Sequence, residues 1–412
     1  MTSVTTAPDI FARILDPANR PDPYPLYSQL TGEPVHRLGP HEWLVTGFDE
    51  IGGLLRDPRM SVQDPAIEPD PDGPRGSDGK PFRAGFLSLD PPHHDTLRGQ
   101  VAGEFGRRIM GLQPRIDALV TELVDRIAAD GVREVDVVER LAYPLPVGVI
   151  CELLGVPRSE EPVFHSFAER LTRGLDPDDT LSETEIADLA VTRAQWRAYL
   201  MPMIAERAAN PGDDLVSALL VGGDPDTRMN ALELGVTLGL LLIAGHETTV
   251  NLVANGTLAL LRNPLALTAF RAHPETAPAL VEEVLRYDPP VQMTRRFATA
   301  PVRVAGVDVS TGDRLALLLA AGNRDPRHFA EPDSFAPGRP DPAHLAFSGG
   351  LHYCLGAALA RMEAQAMLTA IAGRLVCPRL VADPPYRTNM TLRGPSSLRV
   401  AFDEVQPAAH AT

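Results

Sequence analysis

Phe347-Ser-Gly-Gly-Leu-His-Tyr-Cys-Leu-Gly356 runs directly into Ala357-Ala-Leu-Ala-Arg-Met-Glu-Ala-Gln-Ala-Met-Leu368. Two glycines, Gly349 and Gly350, free the backbone for a tight turn or a close approach to a flat ligand. Cys354 stands where a strong helical pattern begins. A helix N-terminus presents unpaired N–H groups and the positive end of a dipole, and both lower the cost of a thiolate. A cysteine so placed can be a nucleophile, a redox thiol or an axial haem ligand. The bland reading of a lone cysteine near a helix start is a small buried hydrophobe.

A second stretch lies upstream. Apolar residues recur at helical spacing from Met229 to Arg262, and Leu238 to Ile243 is apolar all round. The pattern predicts a long central helix, roughly 50 Å at about 1.5 Å per residue. His246 and Glu247 interrupt the run, which argues against a span of roughly 18 apolar residues. At its middle stands Ala244-Gly-His-Glu-Thr-Thr249. Gly245 costs about 1 kcal/mol against alanine in a helix. Thr248 can bond back to a preceding carbonyl and bend it. A carboxylate beside a hydroxyl in a weakened buried helix suits a proton relay.

Two shorter signals follow the same logic. In Leu89-Asp-Pro-Pro-His-His-Asp-Thr-Leu-Arg98, His94 and Arg98 are four apart and share a helix face. Arginine's planar fork suits a carboxylate. On a helix predicted over Pro274 to Tyr287, Glu283 and Arg286 are three apart and can pair. An exposed pair of that kind contributes under about 1 kcal/mol.

Together these stretches resemble the cytochrome P450 superfamily. Phe347, Gly350, His352, Cys354 and Gly356 fall on its cysteine-ligand loop, with Ser348 where the first glycine is usual. Asp90-Pro-Pro-His-His-Asp-Thr-Leu-Arg98, Ala244-Gly-His-Glu-Thr-Thr249 and Glu283-Val-Leu-Arg286 match three further family motifs. The resemblance covers about Asp22 to Phe402 and implies a mainly α fold with small β-sheets. That fold is a single triangular prism, with haem buried between the long central helix and the cysteine-ligand helix. It implies haem b with Cys354 as axial thiolate and sole metal ligand. His94, Arg98 and Arg296 would meet propionates, with Arg295 competing for the last role, and Ala244, Phe347, His352 and Gly356 would line the cofactor. Thr248 would steady activated oxygen while Glu247 passes protons inward. Glu283 and Arg286 would be a structural ion pair. Substrate contacts would come from Phe82, Phe86, Leu87, Leu240, Leu241, Ala244, Val291, Gln292, Met293, Thr391 and Leu392, with Gln292 and His246 as polar handles.

The function so implied is oxygen insertion into a bulky apolar small molecule of secondary metabolism, by hydroxylation or epoxidation. No Gly-x-Gly-x-x-Gly lies between a strand and a helix, so electrons would come from a separate ferredoxin or flavodoxin and its reductase. Arg98, Arg107, Arg108 and Arg361 are the candidate basic patch for that partner. A peroxide-using or oxidative-coupling relative is the second enzyme reading, disfavoured by the retained Glu247 and Thr248. A non-catalytic haem-thiolate sensor is the reading from another class. A metal site of His93, His94 and Asp95 is a weak third, because adjacent histidines leave a helix on different faces.

Composition sets the remaining bounds. The chain has 412 residues, 44% hydrophobic and 22% charged, with net charge −16. Such acidity argues against nucleic acid or an anionic membrane as partner. Lys80 is the only lysine. Three cysteines, Cys151, Cys354 and Cys377, make no disulfide framework, which fits a reducing cytoplasm, and Cys151 and Cys377 read as packing residues. Residues 1–25 show no apolar run with a basic flank. The expected organisation is a flexible segment over 1–20, one domain over 21–405 and a disordered tail over 406–412. Residues 1–30 read as irregular apart from a short helix at Tyr24 to Leu30, and 64–85 as a loop dense in proline and glycine over the substrate.

Overall fold

The computed structural model describes residues 6–65, 75–76, 85–177, 180–222 and 228–408. Its principal helices are α1 (Ala7–Leu15), α2 (Phe48–Leu54), α3 (His93–Ile109), α4 (Glu161–Thr172), α5 (Glu183–Ala209), α6 (Ala231–Arg262), α7 (Ala277–Tyr287) and α8 (Ala357–Arg374). Its contacts divide it into two compact units. One comprises Met1–Met60, Arg115–Leu145 and Thr248–Thr412, the other Ser61–Pro114 and Pro146–Glu247.

The first unit holds a five-stranded sheet. Its strands are β1 (Val35–Gly39), β2 (Glu42–Val45), β3 (Met60–Ser61), β4 (Thr294–Ala298) and β5 (Arg314–Leu317), in the order β1-β2-β5-β4-β3. Strands β1 and β2 form a hairpin around Pro40, Val35 facing Val45 and His36 facing Leu44. Strand β2 runs parallel to β5, and β4 runs antiparallel to it with Arg296 opposite Leu315. Val45, Ile51, Leu315, Leu317 and Leu345 form the core between this sheet and α2. The N-terminal segment departs from the irregular reading. Thr6 caps α1 in a reciprocal box with Asp9, and Ile10 and Ile14, four apart on one face, are buried. At the start of the expected tail, Gln406 donates its N–H to the Arg374 carbonyl at 2.8 Å, and residues 409–412 lie outside the described residues.

In the second unit α4 and α5 pack through an aromatic cluster. The ring of Phe164 meets Trp196 at 5.4 Å and Tyr199 at 5.6 Å, both edge-on. Ser182 and Glu185 form the capping box of α5, whose backbone and side-chain hydrogen bonds, with Arg173 beside them, hold the Glu185 carboxyl at about 2.

Helix α6 contributes to both units, dividing after Glu247. Its expected interruption by His246 and Glu247 does not remove its apolar character: an 18-residue window has mean hydropathy 1.4, long and apolar enough for a membrane span. Burial of 67% of that window marks it as a core helix instead. Gly256 permits part of this packing, since a Cβ there would come within 2.9 Å of Leu368 on α8. Cys151 is buried, and burial with Glu161 and Glu160 nearby pushes its thiol up to about 12. Cys377 corrects the packing assignment: it is exposed, at φ 49°.

Candidate functional site

The cysteine loop is shaped by backbone before any ligand enters. Ser348 and Gly350 both sit at φ 61°. The position that departs from the family pattern therefore still adopts the left-handed conformation that glycine takes most readily. A Cβ at Gly350 would meet the Leu55 carbonyl oxygen at 2.4 Å, so only glycine fits against the end of α2. The Cys354 N–H donates to the Phe347 carbonyl at 2.9 Å, folding the loop back on itself. Cys354 is half-buried and in no disulfide, two residues ahead of the Gly356 N-cap of α8. His352 and Gly356 are half-buried and Phe347 is buried.

Arg361 braces this loop. Its guanidinium lies over the Phe347 ring at 4.6 Å and binds Glu282 through Nε at 2.6 Å and Nη2 at 2.8 Å. Burial works to raise the Glu282 carboxyl, yet hydrogen bonds from Arg361 and His344 bring it down to about 2. The candidate basic patch is corrected accordingly. Arg361 is matched by Glu282, Arg107 by Glu104 and Arg108 by Asp213.

The Glu283–Arg286 pair is deeper than an ordinary i,i+3 pair. Two hydrogen bonds of 2.8 and 2.9 Å join them, and side-chain exposure is 3% and 0%. Arg286 also donates to the carbonyls of Asn323, Pro332 and Ser334, and the Ala336 N–H donates to Glu283 at 2.7 Å. It anchors the segment leading into the cysteine loop.

On α6, Leu240, Ala244 and Thr248 are four apart and form one stripe. Ala244 is exposed, Leu240 and Thr248 are half-buried, and Leu241, Leu242, His246 and Glu247 are buried around them. Ala244 thus keeps access at the centre of a helix whose other residues are largely buried. A Cβ at Gly245 would find Ile150 no closer than 4.0 Å. His246 is 0% exposed, 3.8 Å through Nδ1 from Glu247 and edge-on to His165, so it is corrected from polar handle to buried residue.

Among the remaining candidates, Phe86 is buried, Leu87 is 43% exposed and Phe82 lies outside the described residues. A Cβ at Gly85 would meet Leu240 at 3.3 Å, so this segment approaches the α6 stripe. Val291 and Leu392 bridge as antiparallel partners, and the Gln292 N–H donates to the Thr391 carbonyl at 2.9 Å. Gln292 and Met293 are corrected. The Gln292 amide accepts from the Tyr27 hydroxyl at 2.8 Å and donates to the Pro289 carbonyl at 2.6 Å, while Met293 is buried in the core with Ile10, Ile14 and Leu318. Arg296 is buried, with Nη1 donating to Thr294 Oγ1 at 3.1 Å and the Arg295 carbonyl at 2.7 Å, whereas Arg295 is half-buried. His94 is buried beside Asp95 at 2.7 Å, and His93 turns instead to Glu233 at 3.1 Å. Arg98 is half-buried.

Sequence reading missed Glu363. It lies on α8 at 1% exposure, where burial raises its carboxyl to about 8 against a hydrogen bond with Thr249. The available signal was an acidic residue inside the run of alanine and methionine that follows Cys354.

Comparison with known proteins settles the family. The family model for cytochrome P450 matches residues 193–375. Cytochrome P450 monooxygenase PikC of Streptomyces venezuelae is 37% identical over 95% of this chain and 94% of its own. The chain is a cytochrome P450. The 6-deoxyerythronolide B hydroxylase of Saccharopolyspora erythraea is 36% identical over 90% of this P450 and 92% of its own length. The crystal structure of Mycobacterium smegmatis CYP164A2 superposes with TM-score 0.86 at 39% identity, covering 96% of this P450 and all (100%) of that chain. The P450 fold expected from the motifs is therefore the fold observed, and the enzyme class is monooxygenase. The family implies haem with cysteine thiolate ligation.

Proposed function

We propose that this P450 inserts one oxygen atom into a bulky, mainly apolar small molecule of secondary metabolism. Electrons come from a separate ferredoxin or flavodoxin and its reductase, in the cytoplasm. The observation that carries the reading is the Leu240–Ala244–Thr248 stripe, accessible at the middle of an otherwise buried helix. An apolar ligand lying there meets Leu240 and Ala244 and comes beside the Thr248 hydroxyl. Phe86, Leu87, Leu241, Val291, Thr391 and Leu392 are the other residues proposed to contact substrate.

The residues fit haem b. Cys354 is a thiol outside any disulfide, in a loop closed by its own backbone hydrogen bond. Arg296 and His94, both buried, and Arg98 have the chemistry to meet two carboxylates. Phe347, His352, Gly356 and Ala244 supply apolar and small surface. When bound, a thiolate-ligated haem supplies oxygen activation and O–O cleavage. Thr248 donates or accepts a hydrogen bond on its face of the helix, and Glu247, one residue earlier, holds the proton that Thr248 passes on. Burial of Glu247 at 2% exposure limits how fast bulk water can recharge it.

The test is spectroscopic. The reduced, carbon monoxide-treated protein should show the thiolate band, and Cys354→Ser should lose it. 6-Deoxyerythronolide B and a long-chain fatty acid should then be titrated for a spin-state shift, with glucose as polar control. A band of the imidazole-ligated kind in the wild type would end the haem-thiolate assignment. A shift with glucose alone would end the apolar-substrate assignment.

A further inference from the structure

Three side chains of the second unit stand in a row. His165 lies on α4 and is half-buried. Its ring meets the ring of His246 on α6 edge-on, with centroids 6.3 Å apart and planes at 74°. His246 is 0% exposed, and its Nδ1 lies 3.8 Å from Glu247 Oε2. Two imidazoles thus lead from a partly hydrated position to a carboxyl that solvent does not reach.

We propose that His165 and His246 form the feed line that returns protons from solvent to Glu247. The proposal rests on the monooxygenase reading, in which Glu247 gives up a proton in each cycle. Imidazole suits the task because one ring nitrogen accepts while the other donates, and its ordinary pKa lies close to neutrality. A proton taken up at His165 moves to His246 and then to the Glu247 carboxylate, and solvent recharges His165. One proton enters and one is delivered, and each imidazole returns to its starting state. The 3.8 Å between His246 Nδ1 and Glu247 Oε2 exceeds a direct hydrogen bond, so transfer there runs through a bridging water. Glu247 adjoins His246 on α6, and Glu160 and Glu161 at the start of α4 act on neighbouring Cys151. Both histidines are positioning residues that act through Glu247.

The first test leaves turnover aside. Histidine ring resonances of the ferric holoenzyme are titrated from pH 5 to 9, with His165 and His246 assigned from His165→Gln and His246→Gln. In Glu247→Gln the His246 midpoint should fall by at least half a pH unit, because a neighbouring carboxylate favours imidazolium. A His246 midpoint unmoved by Glu247→Gln would overturn the proposal, and this comparison needs no histidine variant to remain folded. The second test measures the solvent deuterium isotope effect on reduced-ferredoxin consumption. His165→Gln and His246→Gln should each raise it about twofold, and the rate should become dependent on buffer concentration. If both variants keep the wild-type isotope effect while Glu247→Gln changes it, the feed line fails and the monooxygenase reading stands. If Glu247→Gln changes nothing, the role of Glu247 itself fails, and the feed line with it.

Discussion

Replacing Glu363 by glutamine should make this P450 more stable in alkaline solution and leave it almost unchanged in acid. Burial on α8 raises the carboxyl from 4.5 to about 8 in the fold, while Thr249 offers the one compensating hydrogen bond to the charged form. A carboxyl whose folded pKa lies above its unfolded value favours the fold only while protonated. Its contribution is complete below about 4.5 and is lost as pH rises through about 8. Each pH unit across that gap corresponds to about 1.4 kcal/mol, so the whole gap is worth roughly 5 kcal/mol, of which roughly 4 falls between pH 5 and pH 9. Unfolding entropy of about 2.1 cal/mol/K per residue gives roughly 0.9 kcal/mol/K for a chain of 412 residues. The melting temperature of Glu363→Gln minus that of the wild type should therefore grow by roughly 4 °C from pH 5 to pH 9. Glutamine keeps the shape and a hydrogen bond to Thr249, so titration alone separates the two proteins. Circular dichroism melts of both holoenzymes at five pH values give the difference directly. A difference flat to within a degree across that range would refute the reasoning.

Three further outcomes are expected. Glu283→Ala should destabilise the fold by roughly 3–5 kcal/mol, because it leaves the 0% exposed Arg286 charged and buried without its bidentate partner; a urea midpoint near wild type would contradict this. Ser348→Gly should raise the melting temperature by about 1 °C, since a left-handed serine costs roughly 1–2 kcal/mol and part of that gain is offset by the extra freedom of unfolded glycine; a lower melting temperature would show that the Ser348 side chain contributes more than its backbone costs. Thr248→Ala should divert electrons from product to hydrogen peroxide at least severalfold, read as peroxide released per reduced ferredoxin consumed, and tight coupling in that variant would count against the relay.

Where side chains announce their own environment, the sequence was readable. The apolar period of α6 and the pairing of Glu283 with Arg286 on α7 follow from residue type and spacing alone. The cysteine loop was recognisable through its resemblance to the family motif, and the backbone contact of Gly350 with Leu55 that demands glycine there appears only in the fold. Other features depend on partners far away in the chain. Gln292 looked like a polar handle, and only the approach of Tyr27 commits its amide. Met293 looked like lining until α1 packed over it, and α1 itself was hidden because prolines surround a short segment with just two buried isoleucines. Net positive charge around Arg361 vanished for a similar reason: Glu282 lies 79 positions away in sequence yet shares two hydrogen bonds with it. Glu363 gave no spacing signal, because its raised pKa comes from the tertiary packing around α8.

The amino end is held by arginine from near the carboxyl end. Arg393 donates through Nε to the Arg20 carbonyl at 2.9 Å and through Nη2 to the Pro21 carbonyl at 2.9 Å, and it also pairs with Asp288. Arg324 stacks over the Tyr24 ring at 3.5 Å, and the Tyr24 hydroxyl donates to Asp288 at 2.8 Å. Trimming the first two dozen residues, a routine step when a leader looks dispensable, would strip acceptors from a guanidinium sealed away from water. A protease that nicks this segment would accordingly release a brace for the backbone after α7, and the damage would surface far from the cut.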